Sequence, residues 1–169
     1  MRTVRTKVYS FNELSNEAQQ KAIANLCDIN VDHDWWTSTY EDAENIGLKI
    51  TSFGLERNRH ANGEFIISAN DTAKRILEEH GENCETYNTA STFLNTISEI
   101  ENNYAGGTDE DEYSIETETE DAESDFLNSI LEDYSIMLQN DVEYLQTDEA
   151  IKETILANDY EFTEDGNQF

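Results

Sequence analysis

Residues 3–11 alternate, with Val4, Thr6, Val8 and Ser10 on one side and Arg5, Lys7, Tyr9 and Phe11 on the other. That period of two predicts a first strand, partly covered on both faces. The period then changes. Ser15 opens a helix as its N-cap, with Ala18, Ala22, Ile23 and Leu26 at helical spacing and Leu14 in the staple position before the cap. A second helix is expected over 34–45, closed by Gly47. Residues 48–55 alternate again, Leu48 and Ile50 opposite Phe53 and Leu55. Asn62-Gly63 then predicts a tight turn, and Phe65-Ile66-Ile67 the returning antiparallel strand.

Asn70 or Asp71 caps a helix through Ile76, Leu77 and His80, stopped by Gly81, and another helix is expected over 86–100. The loop 102–107, ending in Gly106-Gly107, marks an internal boundary. In 112–120 acids alternate with Tyr113, Ile115, Thr117 and Thr119. A run of like charge is ordinarily a solvated tail, but these interleaved residues are β-favoured types. The expectation is an ordered strand with Glu112, Glu116, Glu118 and Glu120 on the outside, successive outward positions lying about 6.6–6.8 Å apart. Residues 121–145 form the strongest helical pattern, with Phe126, Ile130, Tyr134, Met137, Leu138 and Leu145 among its apolar stripe. Thr147 caps a last helix carrying Ile151, Ile155 and Leu156, and Tyr160-Glu161-Phe162-Thr163 suits a terminal edge strand. The order predicts an α+β fold: a small antiparallel sheet with packed helices and a long acidic amphipathic helix in the C-terminal half. Two parts are expected, 1–101 and a strongly acidic strand-helix-helix part over 108–169, packed together as one domain.

Charge sharpens this division. Of the net −28, residues 1–98 contribute −6 and residues 99–169 contribute −22, with Lys152 the single basic residue of the latter. Such a field repels nucleic acid, nucleotides and anionic membranes and attracts surfaces built for polyanions. The small basic groups, Arg2 with Arg5 and Lys7, Arg57 with Arg59 and His60, and Lys74 with Arg75, are expected to neutralise acids of the chain itself. Cys27 and Cys84 lack metal or redox spacing, and no signal peptide or run of about 20 apolar residues is recognisable. A reducing cytoplasm, that of a host cell, is the expectation.

Catalytic patterns are missing from the sequence. There is no phosphate-cradling glycine motif and no nucleophile elbow. Asp32-His33-Asp34 beside Trp35-Trp36 is the most site-like cluster, yet a metal needs further ligands converging on it. His80 and Cys84 stand four apart with Gly81 between them. Asp109, Asp111 and Glu120 faintly match an EF-hand loop whose obligatory glycine position is Ser114. The expectation is no enzyme, no cofactor and no dedicated metal site.

Two segments resemble small proteins encoded by phages and prophages: residues 8–18, continuing to Lys21-Ala22-Ile23, and residues 160–166. That group has no settled activity, so the resemblance implies context and no site residues. In character, though in no motif, the chain is also similar to DNA-mimicking anti-restriction and anti-CRISPR inhibitors. The expected function is therefore inhibition of a host defence complex through its basic nucleic-acid channel, without direct nucleic-acid or membrane binding. The partner-binding set is Asp109, Glu110, Asp111, Glu112, Glu116, Glu118, Glu120, Asp121, Glu123, Asp125, Glu132, Asp133, Asp141 and Glu143, with Tyr104, Tyr113 or Tyr134 as anchor. Alternatives are a phage structural or regulatory interaction module, and a small-molecule sequestering protein or enzyme using the Asp32–Trp36 region; monomer and dimer both remain open. Self-repulsion at this net charge gives the first prediction. The melting temperature should rise as salt is added from about 0.01 to 0.5 M, as read by circular dichroism.

Overall fold

A computed structural model describes residues 6–105 and 109–169, with side chains described for 6–105 and 112–169. The elements run β1 (Tyr9–Ser10), α1 (Asn16–Asn25), α2 (Thr37–Ile46), β2 (Leu48–Gly54), β3 (His60–Phe65), α3 (Ala69–Glu79), α4 (Glu85–Asn103), α5 (Asp109–Leu145), α6 (Asp148–Ala157) and β4 (Glu161–Phe162). The fold is α+β, as the pattern predicted. The chain divides into two compact units: residues 1–35 with 140–169, and residues 36–139. That division does not follow the diglycine, which lies outside the described residues.

The first unit joins the two ends of the chain. β1 pairs antiparallel with β4, Tyr9 opposite Phe162. Of the expected first strand, residues 3–5 lie outside the described residues. Only two later residues pair, because the chain turns at once: the Ser10 N–H and hydroxyl both donate to the Glu13 carboxylate, at 2.8 and 2.9 Å. Those bonds also hold the Glu13 carboxyl below its usual range. Ser15 caps α1 by accepting the Ala18 N–H, and Thr147 caps α6 by accepting that of Ala150. Phe11, Leu14, Ala22 and Ile23 pack with Ile151, Ile155 and Phe162. Buried Asn30 ties the end of α5 to α6, donating to the Leu145 carbonyl and accepting from Thr154.

The second unit holds the larger core. α2 ends at Gly47, whose φ of +91° and close approach to the Ile67 side chain leave no room for a Cβ. Leu48 and Ile50 of β2 face the core, Leu48 opposite Phe65 of β3. Asn62-Gly63 is not the hairpin turn. The chain reverses over 55–59, and Asn62 and Gly63 lie within β3 opposite Ser52 and Ile50, with Thr51 the extra residue of a bulge. A Cβ on Gly63 would lie 2.5 Å from the Lys49 carbonyl and 2.9 Å from a Leu131 methyl, so this glycine serves close sheet-to-helix approach. Ser68, rather than Asn70 or Asp71, caps α3 by accepting the Asp71 N–H.

The chief departure from expectation is that 112–120 is helix, not strand. α5 starts at Asp109, a dozen residues before the pattern placed it. Its alternation of two coincides with a weaker one of three and four: Ile115, Thr119, Ala122 and Phe126 fall on one side and are half-buried to buried. Phe126 stacks on Phe93 of α4 at 4.4 Å and 9°, and on Phe65 at 5.5 Å.

A polar relay crosses this core. The Tyr134 hydroxyl of α5 donates to Asp42 of α2 at 2.7 Å. His80, at the end of α3, sets Nε2 3.6 Å from the same carboxylate oxygen and Nδ1 2.7 Å from the Thr86 hydroxyl of α4. At 3.6 Å the imidazole–carboxylate contact is electrostatic rather than a formed hydrogen bond, and Nε2 has no hydrogen-bond partner. His80, with help from Tyr134, holds Asp42 below the usual carboxylate range, while burial and the Asp42 contact push the Tyr134 phenol up.

The signs follow from linkage. Asp42 has a depressed folded pKa, so its contribution is present above the ordinary value of 3.8 and lost as pH falls through the folded one. Tyr134 has a raised one, so its contribution is complete below the ordinary 10.0 and declines as pH rises beyond it. Tyr134→Phe should cost about 1–3 kcal/mol in urea unfolding at pH 7 and flatten the stability decline above pH 10.

Candidate functional site

α4 and α5 run antiparallel, as Thr89–Asp133, Phe93–Phe126 and Tyr104–Glu118 contacts pair rising numbers on one with falling numbers on the other. With 3.6 residues per turn, the acids of the first half of α5 fall in two rows. Glu112, Glu116, Glu120 and Glu123 follow one another at steps of four, four and three. Glu118, Asp121 and Asp125 do so on the other shoulder. Between the rows, facing outward, lie Tyr113, Thr117, Ser124 and Asn128, all exposed. Opposite is the buried stripe leading to Phe126. Glu123 is half-buried and the other six acids are exposed.

The remaining predicted residues do not join this ribbon. Glu132 is held by Arg59, whose guanidinium reaches its carboxylate at 2.6 Å and the buried Ser135 hydroxyl at 3.1 Å. Asp133 is half-buried and accepts from Thr89 at 2.6 Å. Asp141 and Glu143 belong to the first unit. Asp109, Glu110 and Asp111 lie in the first turn of α5, with side chains outside the described residues. Of the expected anchors, Tyr134 is fully buried in the core and unavailable. Tyr104 donates to Glu118 at 2.7 Å, and Tyr113 is 77% exposed on the outward ridge.

Other sequence candidates lead elsewhere. Asp32, His33 and Asp34 are exposed, and Trp36 sets its edge against Phe53 at 5.5 Å. The EF-hand-like run lies in α5, which has no loop geometry. Among the described residues no three of His, Cys, Asp and Glu are grouped to hold a metal ion, and no helix is long and apolar enough to cross a membrane.

Sequence reasoning missed a groove of about 380 Å³ along the α4–α5 seam. Thr89, Thr92 and Thr96 line one wall, Asp125 stands on the other, and the stacked Phe93 and Phe126 form the floor. The threonine stripe at three- and four-residue spacing was readable on α4. Its position beside the second acid row was not, because that required α5 to begin a dozen residues earlier.

No family model, no curated protein and no solved structure matches this chain.

Asp133, beside this groove, is pushed above the usual carboxylate range by burial and by the charges of Glu85 and Glu132, against the opposing bond from Thr89. A raised folded pKa means stability that is present below 3.8 and lost as pH rises through the folded value, so ionised Asp133 destabilises at neutral pH. Asn keeps an acceptor for Thr89 without the charge. Asp133→Asn should therefore raise Tm at pH 7 by about 2–4 °C, allowing for screening of a half-exposed group. The gain should disappear below about pH 4, as checked by calorimetry between pH 3 and 7.

Proposed function

We propose that this chain is a phage-encoded inhibitor of a host defence complex of the CRISPR or restriction type, acting in the host cytoplasm by occupying a basic nucleic-acid channel. The reading is carried by the double row of carboxylates on α5. Seven acids between 112 and 125 span about 20 Å of helix, roughly one charge per 3 Å. That is close to the 3.4 Å per charge of a single DNA strand. The rows stand on opposite shoulders of a helix about 10–12 Å across, and it is the two together, each sparser at about 5–6 Å per charge, that match the density of one strand. A helix packed on α4 and the hairpin presents them preorganised, so binding does not have to order them.

Phage context is supported by the resemblance of the chain's opening and ending, and rests on that alone. Lys and Arg residues lining a channel would meet carboxylates where they ordinarily meet phosphates. No catalytic step is part of this reading. Association driven by such fields is fast and falls steeply with ionic strength.

The test is competition with DNA on purified nucleic-acid-binding complexes of bacterial defence systems. The protein is expected to displace DNA from a complex of this kind, with an apparent affinity falling at least about tenfold between 50 and 200 mM salt. Replacing Glu116, Glu118 and Glu120 together by Lys should abolish displacement. Unchanged DNA affinity across the complexes sinks the proposal. Partner binding that survives the charge reversal favours instead an interaction module whose charge serves only solubility.

A further inference from the structure

We infer that the α4–α5 groove is a receptor for a guanidinium group, filled by an arginine side chain of the protein that the acidic ribbon binds; the identity of that arginine's owner rests on the proposed function. The inference comes from counting protons. A threonine hydroxyl has one proton to donate and two lone pairs to accept with. In this groove each threonine proton is already committed to the protein, while Asn88 and Ser129, which also line it, keep side-chain donors of their own. Thr89 donates to Asp133 at 2.6 Å, Thr92 to the Asn88 carbonyl at 2.9 Å, and Thr96 to the Thr92 carbonyl at 3.1 Å. The three hydroxyls can then offer an incoming group only lone pairs. Asp125, on the facing wall, is likewise an acceptor when ionised.

The threonine wall and Asp125 together are acceptors, and that side of the groove favours a ligand made of donors. Guanidinium has five N–H donors, no acceptor, a fixed positive charge and a flat face. The groove floor is apolar, since Phe93 and Phe126 are stacked on each other at 4.4 Å, and it suits the methylene stem that carries a guanidinium. Charge agrees as well. None of the described residues lining the groove is basic, and the burial that disfavours the Asp133 charge would be offset by a cation alongside. A volume of about 380 Å³ is at the small end for ligand sites, which fits one long side chain better than a nucleotide. The second acid row, Glu118, Asp121 and Asp125, borders this seam, so a chain lying along the ribbon could drop a side chain into it.

The test uses the intact protein and three capped tripeptides, glycine–X–glycine, with X as arginine, lysine or citrulline. Methyl resonances of Thr89, Thr92 and Thr96 report the groove. The arginine peptide should shift them saturably, about tenfold more tightly than the citrulline peptide and clearly more tightly than the lysine peptide. Thr92→Val with Thr96→Val preserves shape and removes two acceptors, and should weaken arginine binding about tenfold with other methyl signals in place. Asp125→Asn, a milder change, should weaken it in the same direction. Lysine binding as well as arginine would overturn the assignment. So would shifts confined to the ribbon, or wild-type affinity in both variants. Failure here with intact DNA displacement removes the groove alone; arginine binding in the groove with no DNA displacement anywhere removes the inhibitor reading and its partner.

Discussion

Phe126, held between Phe65 of the hairpin and Phe93 of α4, is the contact on which the acidic half depends. Residues 112–125 of α5 carry five like-charged pairs at three- or four-residue spacing, 112–116, 116–120, 120–123, 118–121 and 121–125. Each costs a helix about 0.2–0.5 kcal/mol, some 1–2.5 kcal/mol together at low salt. Burying a single large apolar side chain returns about 1.5–3 kcal/mol, and Phe126 and Ile130 are both buried. Tertiary burial therefore outweighs local repulsion. The helix propagates back from Phe126 through residues that would not hold it alone.

The same helix handles its charges differently along its length. Near the core each acid has a specific partner: Glu132 has Arg59 and Asp133 has Thr89, while Tyr134 brings its own hydroxyl to Asp42. Between 112 and 125 the described carboxylates stand on the shoulders of the helix, and Glu118 accepts a hydrogen bond from Tyr104. Acids of the first turn also gain from the helix dipole. Partnered charge within the core and displayed charge beyond it are what a preorganised anionic surface requires.

The two units bear on function in different ways. Residues 8–18 and 160–166, on which the proposed phage context rests, belong to the first unit. There β1 pairs with β4, Gly166 packs on the Ala18 backbone, and Lys21 bridges to Asp165 at 3.1 Å. Asp165 is exposed, and its bonds from Thr163 and Lys21 hold its carboxyl below the usual range. The double row of acids and the threonine groove belong to the second unit. Context and proposed activity thus rest on separate parts of the molecule.

The sequence by itself determined the fold class, the caps at Ser15 and Thr147, the stop at Gly47 and the terminal strand, because each depends on a few adjacent residues. It also determined the charge asymmetry. Only tertiary structure decided the state of 112–120, where periods of two and of four compete and burial of one side chooses between them. It moved Asn62-Gly63 from a turn into β3, opposite the bulge at Thr51, where Leu131 packs against that glycine. It likewise removed Tyr134 from the surface and placed three threonines beside an acid row. Those outcomes depend on which helix lies next to which, and no local window of residues contains that information.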